Sequence, residues 1–310
     1  MITILGAGGT IANELVKELA GREEHVRLVS RHPRPAAGAM ETVAADLSDL
    51  SQTVQAVSGS TVVHLLAGLK YDYREWVALW PRIMANTIEA CKRAQAKLVF
   101  FDNVYMYGRV EGPMTEETPF RPCSKKGEIR ARIATTLLAE IQAGNLTALI
   151  ARSADFYGPE ASNSVANLLV FEKLAQGNKA LCLVNDSAPH SYTFTPDAAK
   201  ALVLLTESAQ AWNQTWHMPT APAPPTGREF IALAARGFGV EPRYRVLSRT
   251  MLKLAGWFDR TIAESNEMLY QNDSEYLFDS TKFARAFAFE ATSYAEGARI
   301  TAGAYKRQPA

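Results

Sequence analysis

The opening stretch constrains this chain more than any other part of it. Met1 to Ala12 reads MITILGAGGTIA and runs straight on into NELVKELA. Ile2, Ile4 and Leu5 form a short apolar run without charge, the pattern of a strand buried on both faces. Gly6, Gly8 and Gly9 then supply backbone that takes positive φ and lets a large anion come close. From Ile11 the apolar residues Leu15, Val16 and Leu19 recur at helical spacing. A helix beginning here aims free N–H groups and the positive end of its dipole at the turn, which makes a seat for a pyrophosphate. A side chain at Gly9 is expected to take the pyrophosphate's place, and small Ala12 lets helix and strand pack closely. The stretch predicts a dinucleotide site contacted through Gly6, Gly8, Gly9, Thr10 and Ile11.

The same alternation continues down the chain. Strands are expected over Val26–Ser30, Glu41–Leu47, Thr61–Leu66, Lys97–Phe101, Leu146–Arg152 and Thr215–Met218. Helical patterns fall between them, among them about Pro81–Ala94 and Lys125–Ile141, and a helix opened by Pro196 and capped by Asp197. This order predicts an α/β fold, a doubly wound parallel sheet with helices on both faces. The proline-rich segment Met218 to Thr226 links it to the last helices.

The end of the second strand bears on which nicotinamide cofactor is accepted. An NAD-specific site usually puts Asp or Glu there, whereas this chain has Ser30 and Arg31. A guanidinium and a hydroxyl suit a 2′-phosphate, so NADP is the expected cofactor, with NAD the alternative. Asp46 and Leu47 are placed beside the adenine. Leu66, Ala67 and Gly68 give backbone room next to the cofactor.

Bulk properties exclude several classes. A formal net charge of +1 over 310 residues gives no field for nucleic acid or an anionic membrane. Cys91, Cys123 and Cys182 are scattered without a C-x-x-C, which predicts neither a disulfide framework nor a metal site. No basic segment precedes an apolar core at the N-terminus, and a cytoplasmic protein is expected. His64, inside the fourth strand, reads as a core histidine.

Several motifs in order resemble the NAD-dependent epimerase/dehydratase family, the extended and atypical short-chain dehydrogenases. They are GAGGTIA from Gly6, Asp46-Leu47, VVHLLA from Val62, MYG from Met106, RSADFYGP from Arg152, the TPDAAKAL run from Thr195 and DSTKFARAF from Asp279. The resemblance implies a Rossmann domain over 1–157 and 190–218, a substrate-binding lobe over 158–189 and 219–310, and a homodimer. It also places Ser153 and Asp155 beside the nicotinamide.

The catalytic positions depart from that family. Asp102-Asn103 stands where members carry a hydroxyl pair, and K-x-x-x-R, on Lys126 and Arg130, stands where they carry Y-x-x-x-K. Lys126 is the expected general acid, with Arg130 one turn on. Asn103 is a candidate oxyanion donor, and Tyr105 is expected to point the same way along an extended strand end and supply a phenol proton. Tyr71, Trp76 and Trp80 either form core on one helix face or wall an apolar pocket, with Phe156 near its mouth. The expected activity is an NAD(P)-dependent oxidoreductase or redox isomerase acting on a small apolar or aromatic carbonyl or hydroxyl compound. Two alternatives stay open: a catalytically silent NADP sensor or accessory protein, and a nucleotide-sugar epimerase or dehydratase.

Overall fold

Ile2–Leu5 occupies the middle of a seven-stranded sheet, as its uninterrupted apolar run requires. The computed structural model describes residues 1–22, 24–36 and 41–307. Its strands are β1 (Ile2–Leu5), β2 (Val26–Ser30), β3 (Glu41–Ala44), β4 (Val62–Leu65), β5 (Lys97–Asp102), β6 (Ala148–Arg152), β7 (Asp155–Tyr157), β8 (Ala180–Leu183), β9 (Tyr192–Phe194), β10 (Thr215–His217) and β11 (Tyr244–Leu247). The α-helices are α1 (Thr10–Leu19), α2 (Leu50–Val57), α3 (Tyr73–Ala94), α4 (Lys125–Gln142), α5 (Glu172–Ala175), α6 (Thr195–Glu207), α7 (Gly227–Phe238), α8 (Arg249–Ala255), α9 (Arg260–Ser265), α10 (Thr281–Phe287) and α11 (Tyr294–Arg307). None of the described helices is long and apolar enough to cross a membrane.

The chain divides into two units. The first holds 1–106, 125–152 and 198–216, and the second 107–124, 153–197 and 217–310. Segments 107–124, 153–157, 190–197 and 217–218, expected with the Rossmann domain, join the second unit. There Met114 accepts from the Asp279 amide and donates to the Leu277 carbonyl, and Glu116 accepts from the His217 amide. Residues 308–310 of the expected substrate lobe lie outside the described residues.

In the first unit the sheet order is β3-β2-β1-β4-β5-β6-β10, with parallel pairing at every junction from β3 to β6. The reversal beside β1 opens a crevice at the carboxyl ends of the strands, where ligands of such sheets bind. One helical expectation was too short. α3 begins at Tyr73 and not near Pro81, because Asp72 caps it by accepting from the Arg74 amide at 2.9 Å. Pro81 cannot donate to the Val77 carbonyl, but Val77 is 44% exposed, so water can serve that oxygen. Asp197 lies in the first turn of α6. It is buried and accepts from the Thr292 amide and hydroxyl at 2.7 and 2.9 Å within the second unit. β3 stops at Ala44, short of the expected Leu47.

The second unit is built on two short parallel pairs, β7 with β9 and β8 with β11. β11 escaped the sequence reading, since YRVL is partly charged and only half-buried. Tyr157 is the hub of this core, with Phe171, Phe194 and Phe230 around its ring at centroid distances of 6.2, 5.4 and 5.2 Å. Burial pushes its phenol far above the ordinary range, so it packs and does not titrate.

Candidate cofactor-binding and catalytic site

The glycine turn leaves β1 at Leu5 and is held from behind by β2, whose Val29 carbonyl accepts from the Gly6 and Ala7 amides at 2.9 and 3.0 Å. Gly6 has φ of +104° and Gly8 of +89°, backbone that L side chains rarely adopt. A Cβ on Gly6 would stand 2.5 Å from the Ala67 backbone, so the end of β4 closes directly on the turn. Around Gly8 nothing lies within 4 Å of where a Cβ would be, and that side of the turn is open. Gly9 is the N-cap of α1 and brings no capping side chain, and the first helical bond runs from the Asn13 amide to the Gly9 carbonyl. An uncapped helix start behind an open glycine fits a dinucleotide's pyrophosphate. A Cβ on Gly9 would meet the Gly6 carbonyl at 3.2 Å, so a side chain there is also crowded by the turn itself.

Next along the crevice, Ser30 is half-buried at the end of β2 and Arg31 is exposed. Asp46 lies in a turn beyond β3, where it accepts from the Ser48 amide and hydroxyl at 2.9 and 2.8 Å. Those bonds, helped by the charges of Arg31 and Arg82, hold its carboxyl below the usual range despite some burial. Leu47 is buried, as is Leu66, while Ala67 is partly covered and Gly68 exposed. His64 is a core residue in β4, and burial pushes its ring down to about 3.

The candidate catalytic end of the same unit is organised by Asp102, the last residue of β5. Its carboxylate accepts from the Nε of Arg130 at 2.8 Å and from the Arg130 Nη2, and lies 3.7 Å from the Nε of Arg152. Arg152 sits opposite Asp102 in the β5–β6 register. Asp102 is 2% exposed, Arg130 4%, Arg152 1% and Lys126 0%. Buried charge at this density survives only when paired and hydrogen-bonded. The guanidinium of Arg130 also lies 4.5 Å from the ring of Trp80 and 5.9 Å from that of Trp76. The Nζ of Lys126 lies 4.7 Å from the ring of Tyr71, which in turn meets Trp76 edge-on at 5.6 Å.

Six of the residues singled out in the sequence thus fall into one cluster, though not all as expected. Tyr105 is not on an extended strand end. Asn103 turns the chain by accepting from the Tyr105 amide at 3.0 Å, residues 105–107 form a 3₁₀ turn, and Tyr105 stacks on Trp76 at 6.3 Å. Trp76 and Trp80 are 5% and 2% exposed among the core side chains of α3, which decides for the core reading over the pocket wall. The Asn103 side-chain oxygen is engaged in the turn, which leaves its amide N–H groups to act as donors.

Ser153, Asp155 and Phe156 belong to the second unit. Ser153 is buried and donates to the Ala154 carbonyl, and Phe156 is half-buried in β7. Asp155 pairs with His190, Oδ2 to Nε2 at 2.9 Å. Sequence reasoning missed this pair and the Asp102–Arg130 pair alike. A signal existed for the second, since a carboxylate ending a buried strand demands a cation. None existed for the first, whose members are 35 positions apart.

The family model of the NAD dependent epimerase/dehydratase family matches residues 2–217. The chain belongs to the NAD-dependent epimerase/dehydratase family. Solved epimerase and dehydratase structures share its fold over almost all of their length. The UDP-glucose 4-epimerase of Thermus thermophilus, in complex with NAD, superposes with a TM-score of 0.81 at 18% identity, covering 99% of each chain. MoeE5, in complex with UDP-glucuronic acid and NAD, gives 0.79 at 21% identity over 99% of each. The dTDP-glucose 4,6-dehydratase DesIV of Streptomyces venezuelae gives 0.79 at 17% identity over 98% of this chain and 96% of that one. A search of curated proteins finds no match to this sequence.

Proposed function

We propose that this family member is an NAD(P)-dependent oxidoreductase or redox isomerase that uses Lys126 in place of the tyrosine its relatives' motif would supply. The observation that carries the reading is the complete burial of Lys126 at the first turn of α4, in contact with Tyr71, while Arg130 is committed to Asp102. One cation of the K-x-x-x-R pair is structural, and the other is held in an aromatic setting where a proton can be delivered to one place. The turn at Gly6–Gly9 with the amides of Thr10 and Ile11 would hold the pyrophosphate, and Ser30 and Arg31 the adenine ribose. When bound, the dinucleotide supplies or accepts a hydride at nicotinamide C4. Lys126 Nζ, as ammonium, gives its proton to a substrate carbonyl oxygen in reduction; as amine, it takes the proton back from the hydroxyl in oxidation. Asn103 offers an amide N–H to the same oxygen.

Exposed Arg31 supports NADP as the preferred form. NAD, bound by the relatives named above, is the form to test against it, because Asp46 lies close enough to Arg31 to share its charge. The second reading, a nucleotide-sugar epimerase or dehydratase, is favoured by the names of those relatives and opposed by Asp102 and Lys126 at the hydroxyl and tyrosine positions. Purified protein titrated with NADPH and NADH, followed by nicotinamide fluorescence, tests cofactor binding. Oxidation of bound NADPH by a panel of apolar carbonyl compounds, against UDP- and dTDP-sugars, tests the reaction. Turnover of the sugars alone reverses the assignment.

A further inference from the structure

The second unit contains a cavity of about 60 Å³ whose wall carries a single acidic group. Val165, Leu169, Val170, Leu181, Phe230 and Ile231 supply its apolar side. The acid is Asp155. Its Oδ2 lies 2.9 Å from the Nε2 of His190, the geometry in which the ring N–H donates to a carboxylate oxygen. His190 is fixed on both faces, stacked on Tyr276 at 4.2 Å and tilted against Tyr192 at 4.6 Å. It is 8% exposed, whereas Asp155 is 36% exposed. The histidine therefore orients the carboxylate and leaves it open to whatever enters.

No lysine or arginine is found among the described residues that line this cavity. Arg228, next to Gly227 in the wall, is paired with Asp186, and Arg249 and Arg109 are paired with Asp273, next to Asn272. The Asn185 side chain is occupied on both atoms, accepting from the Ser187 amide and donating to the Asp273 carbonyl. Cys182 stays a thiol, since burial, with Asp186 nearby, pushes it up to about 11. The phenol of Tyr192 is likewise driven well above its ordinary range by burial first and by the charge of Asp155 second. The cavity thus presents one negative charge, an apolar side and no lysine or arginine to neutralise an anion.

The geometry points to a binding site for a small aliphatic ammonium: Asp155 takes the charged head, and the cavity takes a branched hydrocarbon body. A cavity of about 150 Å³ holds the six carbons of a benzene ring, so one of about 60 Å³ encloses only an isopropyl-sized end of the body, with the rest of the chain reaching to Asp155. A nucleoside diphosphate would bring two or more negative charges against Asp155 with no lysine or arginine to meet them, and the site selects against it. The inference names a ligand for the second unit alone and goes beyond the redox reading proposed above without resting on it.

Isothermal titration of the full chain, free and NADPH-loaded, with 3-methylbutylamine, 3-methylbutanol, 3-methylbutanoate and UDP-glucose provides the test. The amine is expected to bind at least about tenfold more tightly than the alcohol, the worth of one charge-assisted contact. The carboxylate and UDP-glucose are expected not to bind. Asp155→Asn keeps an acceptor for His190 and should weaken the amine about tenfold or more. Leu169→Trp should fill the cavity and abolish binding with Asp155 intact, which keeps the test decisive should the first variant not fold. Amine affinity unchanged in either folded variant, no amine binding at all, or tighter binding of UDP-glucose overturns the inference. NADPH affinity measured in the same samples reports separately on the cofactor reading.

Discussion

Two aspartates at strand ends, Asp102 and Asp155, are each joined to a basic side chain, and the two pairs do opposite things. Asp102 is fully enclosed at the end of β5 between two guanidinium groups, one of them packed on tryptophan. Asp155 begins β7 and is held on one oxygen by a stacked imidazole, with more than a third of its side chain exposed beside a cavity. The first carboxylate is consumed by its partners and serves the core. The second is aimed by its partner and stays available. Burial of the acid, more than the identity of the base, separates a strut from a recognition group.

Breaking the first pair should have the largest effect. Asp102→Asn removes the carboxylate to which the buried Arg130 guanidinium is bonded, and a loss of about 3–5 kcal/mol of unfolding free energy is expected in urea denaturation. A loss under about 1 kcal/mol would mean that water reaches the cluster. Lys126, the cation of this neighbourhood assigned to chemistry, comes next. Lys126→Met retains most of the apolar stem, so NADPH affinity should change little while the chemical step slows about a hundredfold or more. Loss of affinity alone would make Lys126 a ligand of the ribose or phosphate. Arg31 is an exposed cation, and Arg31→Ala should weaken NADPH about tenfold and leave NADH nearly unchanged in paired fluorescence titrations. Equal losses would place Arg31 outside the adenine ribose site. The smallest effect is expected at the second aspartate: Asp155→Asn should shift unfolding free energy by less than about 1 kcal/mol, since its hydrogen bond to His190 is partly open to solvent. A cost as great as that at Asp102 would erase the distinction between the two pairs.

The glycine turn and the sheet were legible because their signals are local. Gly6 and Gly8 need positive φ within a few residues of a strand and a helix, and the apolar runs of β1, β4, β5 and β6 mark buried strands directly. The cluster around Asp102 was legible only in part. K-x-x-x-R puts Lys126 and Arg130 on one helical face, but that Arg130 would turn to a carboxylate 28 positions earlier depends on the packing of α3 and α4. The stretch after Asp102 misled for a related reason: the Asn103 side chain captures the Tyr105 amide, and a side chain that satisfies the backbone can end a strand early. Trp76 and Trp80 carried the right spacing for both of their readings, and only burial chose between them. Asp155 and His190 left no trace in spacing, since the parallel pairing of β7 and β9 brings them together.

Adjacent Lys125 and Lys126 differ in one further respect. Lys125 is exposed at the start of α4 and its neighbour has no accessible surface at all. An amine-acylating reagent can therefore mark Lys125 in the native fold and can reach Lys126 only when the first turn of α4 opens. The ratio of labelling at the two positions, read by peptide mass spectrometry over time, is a clock for that opening. Lys126 meets a substrate oxygen only through the same opening, so turnover should not outrun the clock at Lys126, and the rate at Lys125 should not change with added NADPH.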